Sequence, residues 1–235
     1  MKNIFGILKV LGIILIILLI YLGWKKWIFK SAIDKKFITS SPIDLSQIDR
    51  ISKFRSCAGH DASGINSYGE KESNRSMKHY AVPLSKYDGT HDQVKILAPF
   101  DGKIGRIQIG QKTESTGRSI SMMTMGGWVF EFGHVEPLFN LKVGQKVVSG
   151  EVIGYYKAGD GHAFDLQLYH SGNVRSDMEV GIDSYISHLT PEVIEEYNKY
   201  SLTSDNLIIS KQMRDQNECI RYDINPEDQF VNVTH

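Results

Sequence analysis

The sequence predicts a mainly β protein: a compact antiparallel β-sheet domain, barrel-sandwich-like, with an N-terminal transmembrane helix and a C-terminal helix. Three observations predict this. From Lys95 to Leu168, short apolar runs rich in Val, Ile and Phe are separated by turn signals at Asp101-Gly102, Gly144-Gln145 and Ser149-Gly150. The first thirty residues carry a near-continuous apolar stretch. Near the other end, Thr190-Pro191-Glu192 combines a capping residue, a first-turn proline and an acid, the composition of a helix start.

Composition narrows the function classes. The chain has 235 residues, a formal charge of zero and 41% hydrophobic residues. That length suffices for one core plus an appendage. No basic stripe speaks for nucleic acid, and no acidic block speaks for a disordered tail. The two cysteines, Cys57 and Cys219, lie far apart and outside any C-x-x-C pair. They admit two readings, one disulfide closing a long loop in an oxidising compartment or two buried thiols.

Taken in order, residues 1–30 read as a transmembrane anchor. Ile4 to Trp24 is 21 residues interrupted only by Lys9, which can snorkel, and Trp24, Trp27 and nearby lysines form an interfacial belt. No small-residue cleavage site follows, so the segment reads as uncleaved. Residues 31–56 read as a tether, broken at Thr39-Ser40-Ser41-Pro42, with a helical turn expected near Asp44–Ile48. Residues 57–175 form the β domain. Residues 176–235 supply a helix through VIEEYNKY and a tail whose apolar patch, Leu207-Ile208-Ile209, packs on the domain. His134, His162 and Asp165 are the polar residues set into the predicted strands. His91, His170 and His188 read as surface residues.

The segments APFDGKIGRI, the Gly-His pair at 133–134, LKVGQKVVSGEVIGYY and DLQL together resemble the lysostaphin/LytM-type zinc peptidases, the duplicated hybrid motif fold, over roughly residues 75–170. The same glycine-turn grammar resembles biotinyl/lipoyl hairpins, but Ser121 to Trp128 contains no lysine to carry a lipoyl group. The resemblance implies a β-sheet domain that acts on cell-wall peptides. It also implies two zinc ligands from His-x-x-x-Asp and a third from His-x-His.

The matched positions are altered. RSMKH places Arg75 where the resemblance expects His and His79 where it expects Asp, and an arginine offers no lone pair to a metal. The His-x-His position reads Ala163-Phe164-Asp165, so Asp165 stands at the ligand and alanine at the proton carrier, with His162, one place early, as a second catalytic candidate beside His134. His134 matches the remaining catalytic histidine. Two readings follow. In one, His60, His79 and Asp165 form a rearranged zinc site, Asp61 being an alternative ligand, and His134 serves as general base or oxyanion stabiliser. In the other, Arg75 and Asp165 form an ion pair that replaces the metal, and the old groove holds a ligand without cleaving it.

The expected function is a membrane-anchored bacterial envelope protein whose peptidase-like domain binds a peptidoglycan peptide or an envelope protein. The alternatives are an active zinc endopeptidase on peptidoglycan cross-links and an envelope transport adaptor using the biotinyl-like hairpin. Beyond zinc no cofactor is expected. The expected partners are the lipid bilayer and the envelope ligand, with no nucleic acid. The lysine count around the anchor favours a cytoplasmic domain, whereas the resemblance to envelope proteins favours an extracytoplasmic one, which is the expectation adopted.

Overall fold

A computed structural model describes residues 12, 15, 16, 18, 20 and 21, then 34–109, 118–157, 163–170, 180–223 and 227–235. The chain divides into two units, Met1–Lys35 and Lys36–His235. In the first unit the six described residues before 34 are helical and exposed. Most of the expected anchor lies outside the described residues. Among the described residues no helix is long and apolar enough to cross a membrane.

The second unit is built from fourteen strands among the described residues. They are β1 (Ile48–Ser52), β2 (Gly64–Asn66), β3 (Lys71–Glu72), β4 (His79–Pro83), β5 (Lys95–Leu97), β6 (Gly102–Gln108) and β7 (Ser119–Met123). They continue with β8 (Trp128–Gly133), β9 (Val135–Pro137), β10 (Lys146–Val147), β11 (Val152–Tyr156), β12 (Phe164–His170), β13 (Val180–Asp183) and β14 (Phe230–Asn232). The main sheet runs β10-β6-β7-β8-β12-β13-β2-β3, with β4 also on β12, β1 on β4 and β14 on β1. A three-stranded sheet, β5-β11-β9, packs against it through the shared core. The pairing is antiparallel except between β13 and β2, which are parallel. That pair corrects the wholly antiparallel expectation.

The hairpin grammar of LKVGQKVVSGEVIG is realised as two tight turns. Gly144 and Gly150 both adopt positive φ, and their amides donate to Ile104 O and Ala98 O, which ties the hairpin to β6 and to the end of β5. A short 3-10 turn, Leu45–Gln47, forms where a helical turn is expected, with the Asp44 carboxylate accepting from the Ser46 amide.

The central strands β7, β8 and β12 set the two faces of the sheet. Ile120, Phe132 and Leu166 are cross-strand partners, as are Met122, Phe130 and Leu168, and all six are buried in the core. Their sequence neighbours Ser119, Ser121, Glu131, Gly133, Asp165 and Gln167 point to the opposite face, because strand side chains alternate. Each apolar core residue of this kind stabilises the fold by about 1.5–3 kcal/mol through burial. This alternation, more than any single residue, fixes which polar groups reach the cleft.

The C-terminal segment contains α1 (Pro191–Lys199), α2 (Ser204–Leu207) and α3 (Lys211–Gln216). Val193 and Tyr197 of α1 enter the core. Thr190 precedes α1 without a side-chain capping bond, while Thr203 and Asn206 form a reciprocal capping box on α2. In the apolar patch Leu207 is fully buried while Ile208 and Ile209 are half-buried, and Phe54 donates its amide to Leu207 O. His188, expected at the surface, is buried instead. Its ring lies 4.5 Å from that of Trp128 and 5.1 Å from that of Phe37, and its Nε2 is 3.2 Å from Asp183 Oδ2.

Candidate functional site

One row of cross-strand partners organises the cleft. Ser119 opposes Gly133, Gly133 opposes Asp165, and Asp165 opposes Tyr80. Residues that face each other on antiparallel strands point to the same side, so these four share the non-core face. Asp165 is nearly buried there, and its Oδ2 lies 3.1 Å from Lys78 Nζ. His134 follows β8 in the left-handed region at φ 61°, a conformation that histidine adopts more readily than most residues. This backbone twist brings its Nε2 to 3.8 Å from Asp165 Oδ1. Its Nδ1 is buried and has no hydrogen-bond partner among the described residues.

His60 reaches the same face from the loop after Ser56. Its Nδ1 is 3.1 Å from the Tyr80 hydroxyl, and the two rings meet edge-on. Gly59 makes this approach possible: it has φ +71°, and a Cβ there would lie 2.3 Å from Tyr80 Cζ. Partial burial and then the Lys78 ammonium hold the His60 imidazole below its usual pKa, against the opposing pull of Asp165. Burial, and then the Asp165 carboxylate, push the Tyr80 phenol up to about 12, so it stays protonated.

His79 goes the other way. It opposes Leu166 rather than Asp165, which turns its side chain into the core. There its Nδ1 lies 2.8 Å from Ser52 O and its Nε2 2.8 Å from Ser184 Oγ. The carbonyl can only accept, so Nδ1 carries the proton and the Ser184 hydroxyl donates to Nε2. Its ring stacks on Phe54 and meets Tyr185 edge-on. Full burial lowers its pKa to about 4. This corrects the expectation of His79 as a metal ligand: both ring nitrogens are occupied, on the wrong side of the sheet.

Arg75 is also displaced from the expected pair. Its guanidinium bonds Glu72 at 3.0 Å and Asp215 at 2.7 Å, not Asp165. Glu72 is shared with Arg55 and Asn66. Burial pushes the Glu72 carboxyl up, but the hydrogen bonds and charge of Arg55, with Asn66 and Arg75, outweigh it and leave the pKa below the usual value. Arg75 therefore ties the C-terminal α3 to the sheet. The cation that does pair with Asp165 is Lys78, three residues on.

Cys57 and Cys219 form a disulfide across a sequence separation of 162. Around it the tail clamps the His60 loop. Gly59 donates to Asp223 O at 2.7 Å, Asp223 donates to Cys57 O at 3.2 Å, and Arg214 donates to Arg55 O at 2.6 Å. His162 lies outside the described residues. Ala163, at the expected proton-carrier position, packs against the small cluster of Ala58, Tyr80, Val82 and Phe230.

Zinc is the metal that the resemblance implies, and the donor set does not fit it. A catalytic zinc needs three N or O ligands around one open position. Asp165 is engaged by an ammonium, His79 is committed to the core, and His60 Nδ1 is engaged by Tyr80. Among the described residues no three His, Cys, Asp or Glu side chains are grouped to hold a metal ion. What the cleft offers is an ion pair, two imidazoles, a phenol and a serine hydroxyl, a set able to bind polar groups.

No protein-family model matches this chain, and no curated protein matches it. Solved structures do. The SpoIIQ–SpoIIIAH pore-forming complex includes a chain that is 13% identical, with 69% of this chain and 98% of that chain covered and a TM-score of 0.44. The chain resembles the LytM/M23 peptidases. The catalytic domain of the prophage-encoded M23 protein EnpA from Enterococcus faecalis is 16% identical, covering 63% of this chain and 97% of that one at a TM-score of 0.38. The catalytic domain of lysostaphin from Staphylococcus simulans is 18% identical, covering 56% and 88% at a TM-score of 0.36.

Lys78, Tyr80 and Ser119 are cleft residues that the sequence reading passes over. A signal for Tyr80 existed. In HYAVP the alternation that sends Ala81 to the core sends Tyr80 to the other face.

Proposed function

We propose that this chain is a membrane-anchored envelope protein whose β domain binds a peptide or a protein partner in a peptidase-like cleft and does not cleave it. The observation that carries the reading is the Lys78–Asp165 pair at 3.1 Å. A fixed ammonium neutralises the carboxylate that stands at the resemblance's ligand position, which removes the electrostatic reason to hold a dication. His134 next to an already neutralised aspartate retains hydrogen-bonding capacity but lacks an activated nucleophile to serve. The side chains that remain open can hold and orient polar groups of a ligand.

The disulfide supports an extracytoplasmic domain, since such bonds persist in oxidising compartments. It stands against the lysine count flanking the apolar N-terminal stretch. The uncleaved apolar stretch before residue 25 supports anchoring in the bilayer.

The test is hydrolysis. Full-length protein in detergent, supplied with equimolar zinc, is expected to leave peptidoglycan-derived peptides intact over hours. Turnover that disappears in Asp165→Ala and His60→Ala would establish the rearranged peptidase instead.

A further inference from the structure

The disulfide lies against a buried cation. Arg214 is only 7% exposed, and its Nη1 donates to Cys57 Sγ at 3.1 Å. Its remaining hydrogen bonds go to Arg55 O at 2.6 Å, Asn217 O at 2.8 Å and Gln229 Oε1 at 3.0 Å. All four acceptors are neutral. A guanidinium keeps its charge in a protein, and a buried charge without a counter-ion is costly. Burial and then the Arg75 guanidinium weigh against the Arg214 charge, while Asp228 favours it without forming an ion pair. A thiolate on Cys57 would supply the counter-ion at an atom that Arg214 already contacts.

The other charged groups around the bond have partners of their own. Arg55 and Arg75 both pair with Glu72, and Arg75 also with Asp215. Glu218 accepts from Asn74, Asp228 from the Gln229 side chain and Asp61 from Ser63. Burial, and then Asp61, push the Tyr222 phenol up to about 12, so it stays neutral. Asp223 meets Cys57 through its backbone amide. Arg214 is therefore the charge that acts directly on the sulfur. Access differs between the two cysteines: Cys57 is half-buried, whereas Cys219 is buried.

We infer that the Cys57–Cys219 bond is a thiol–disulfide exchange site, opened by a dithiol reductant and held in its reduced form by Arg214. One thiolate of the reductant attacks the more accessible Cys57 Sγ. The Cys57–Cys219 bond breaks, and Cys219 leaves and takes a proton, with Ser56 O 3.6 Å away to accept from the new thiol. The second thiolate then attacks the reductant's own sulfur in the mixed disulfide, and Cys57 departs as a thiolate beside Arg214. Two electrons pass from the dithiol, which becomes a disulfide. Its two protons go to Cys219 and to solvent. Cys57 lies three residues before His60, on the loop that the tail holds through Gly59 and Asp223, so opening the bond loosens the loop that brings His60 to Tyr80. The exchange site stands whether or not the cleft binds a peptide.

The test equilibrates full-length protein in detergent micelles with graded ratios of reduced to oxidised dithiothreitol, traps free thiols by alkylation and weighs the products. The parent is expected to reduce reversibly while folded, with amide exchange at residues 57–62 rising on reduction. Arg214→Gln is expected to shift the equilibrium roughly tenfold or more against reduction, because the thiolate loses its counter-ion. A merely structural Arg214 predicts the opposite sign: loosening the tail separates the two thiols and makes the bond easier to break. A second measurement does not depend on that variant's folding. In Cys219→Ser, the alkylation rate of Cys57 by iodoacetamide is expected to rise with a midpoint at least one pH unit below the ordinary thiol value of about 8.5. A bond that excess dithiothreitol leaves intact in the folded protein overturns the inference. So does easier reduction of Arg214→Gln, a Cys57 midpoint near 8.5, or unchanged exchange at residues 57–62.

Discussion

Replacing both cysteines, Cys57→Ser with Cys219→Ser, is expected to destabilise the domain by about 4 kcal/mol, because the bond closes a very long loop and its loss restores that entropy to the unfolded chain. Urea unfolding of the full chain in detergent measures this. The damage should be uneven. The loop carrying His60 is held by Asp223, Arg214 and the disulfide together, whereas β7, β8 and β12 are held to one another by their own backbone ladders. Amide exchange is therefore expected to rise most at residues 57–62 and 219–223 and little in the central strands. An unchanged midpoint would mean that the noncovalent clamp alone fixes the tail.

Acidification is expected to remove about 3 kcal/mol of stability through His79 alone. An unfolded histidine titrates near 6.5, whereas the buried ring is held down to about 4. Below 6.5 the unfolded chain therefore takes up a proton that the folded chain refuses. The contribution is fully present above pH 6.5 and is lost as the pH falls through that value toward 4, at about 1.4 kcal/mol per unit. His79→Gln should be less stable than the parent at pH 7, since it gives up the contacts to Ser52 and Ser184. Its stability between pH 6.5 and 4 should nevertheless decline less steeply than the parent's. Parallel curves would show that His79 does not titrate in the core.

His79 also marks the limit of what the sequence makes legible. The alternation of apolar residues along 128–133 and 164–168, and the glycine turns at 144 and 150, made the β architecture and its hairpins legible, because each is a local property. Asp165 could be placed on the polar face for the same reason. His79 could not. Whether it meets the cleft or the core depends on which residue of β12 it opposes, and a one-residue change of register reverses the answer. Arg75 shows the same limit: its partners Glu72 and Asp215 are brought together by a tail whose docking has no local sequence signal. Lys78 matches no motif position, so nothing local in the sequence singles it out. Its role comes only from lying beside Asp165 across the sheet.

The central claim is that the Lys78–Asp165 pair stands in place of a metal, and zinc content tests it most directly. Full-length protein purified in detergent without chelator, equilibrated with excess zinc and then desalted, is analysed by elemental spectroscopy. The expected result is far less than one zinc per chain, unchanged in Asp165→Ala. About one zinc per chain, lost in Asp165→Ala and His60→Ala, would contradict it.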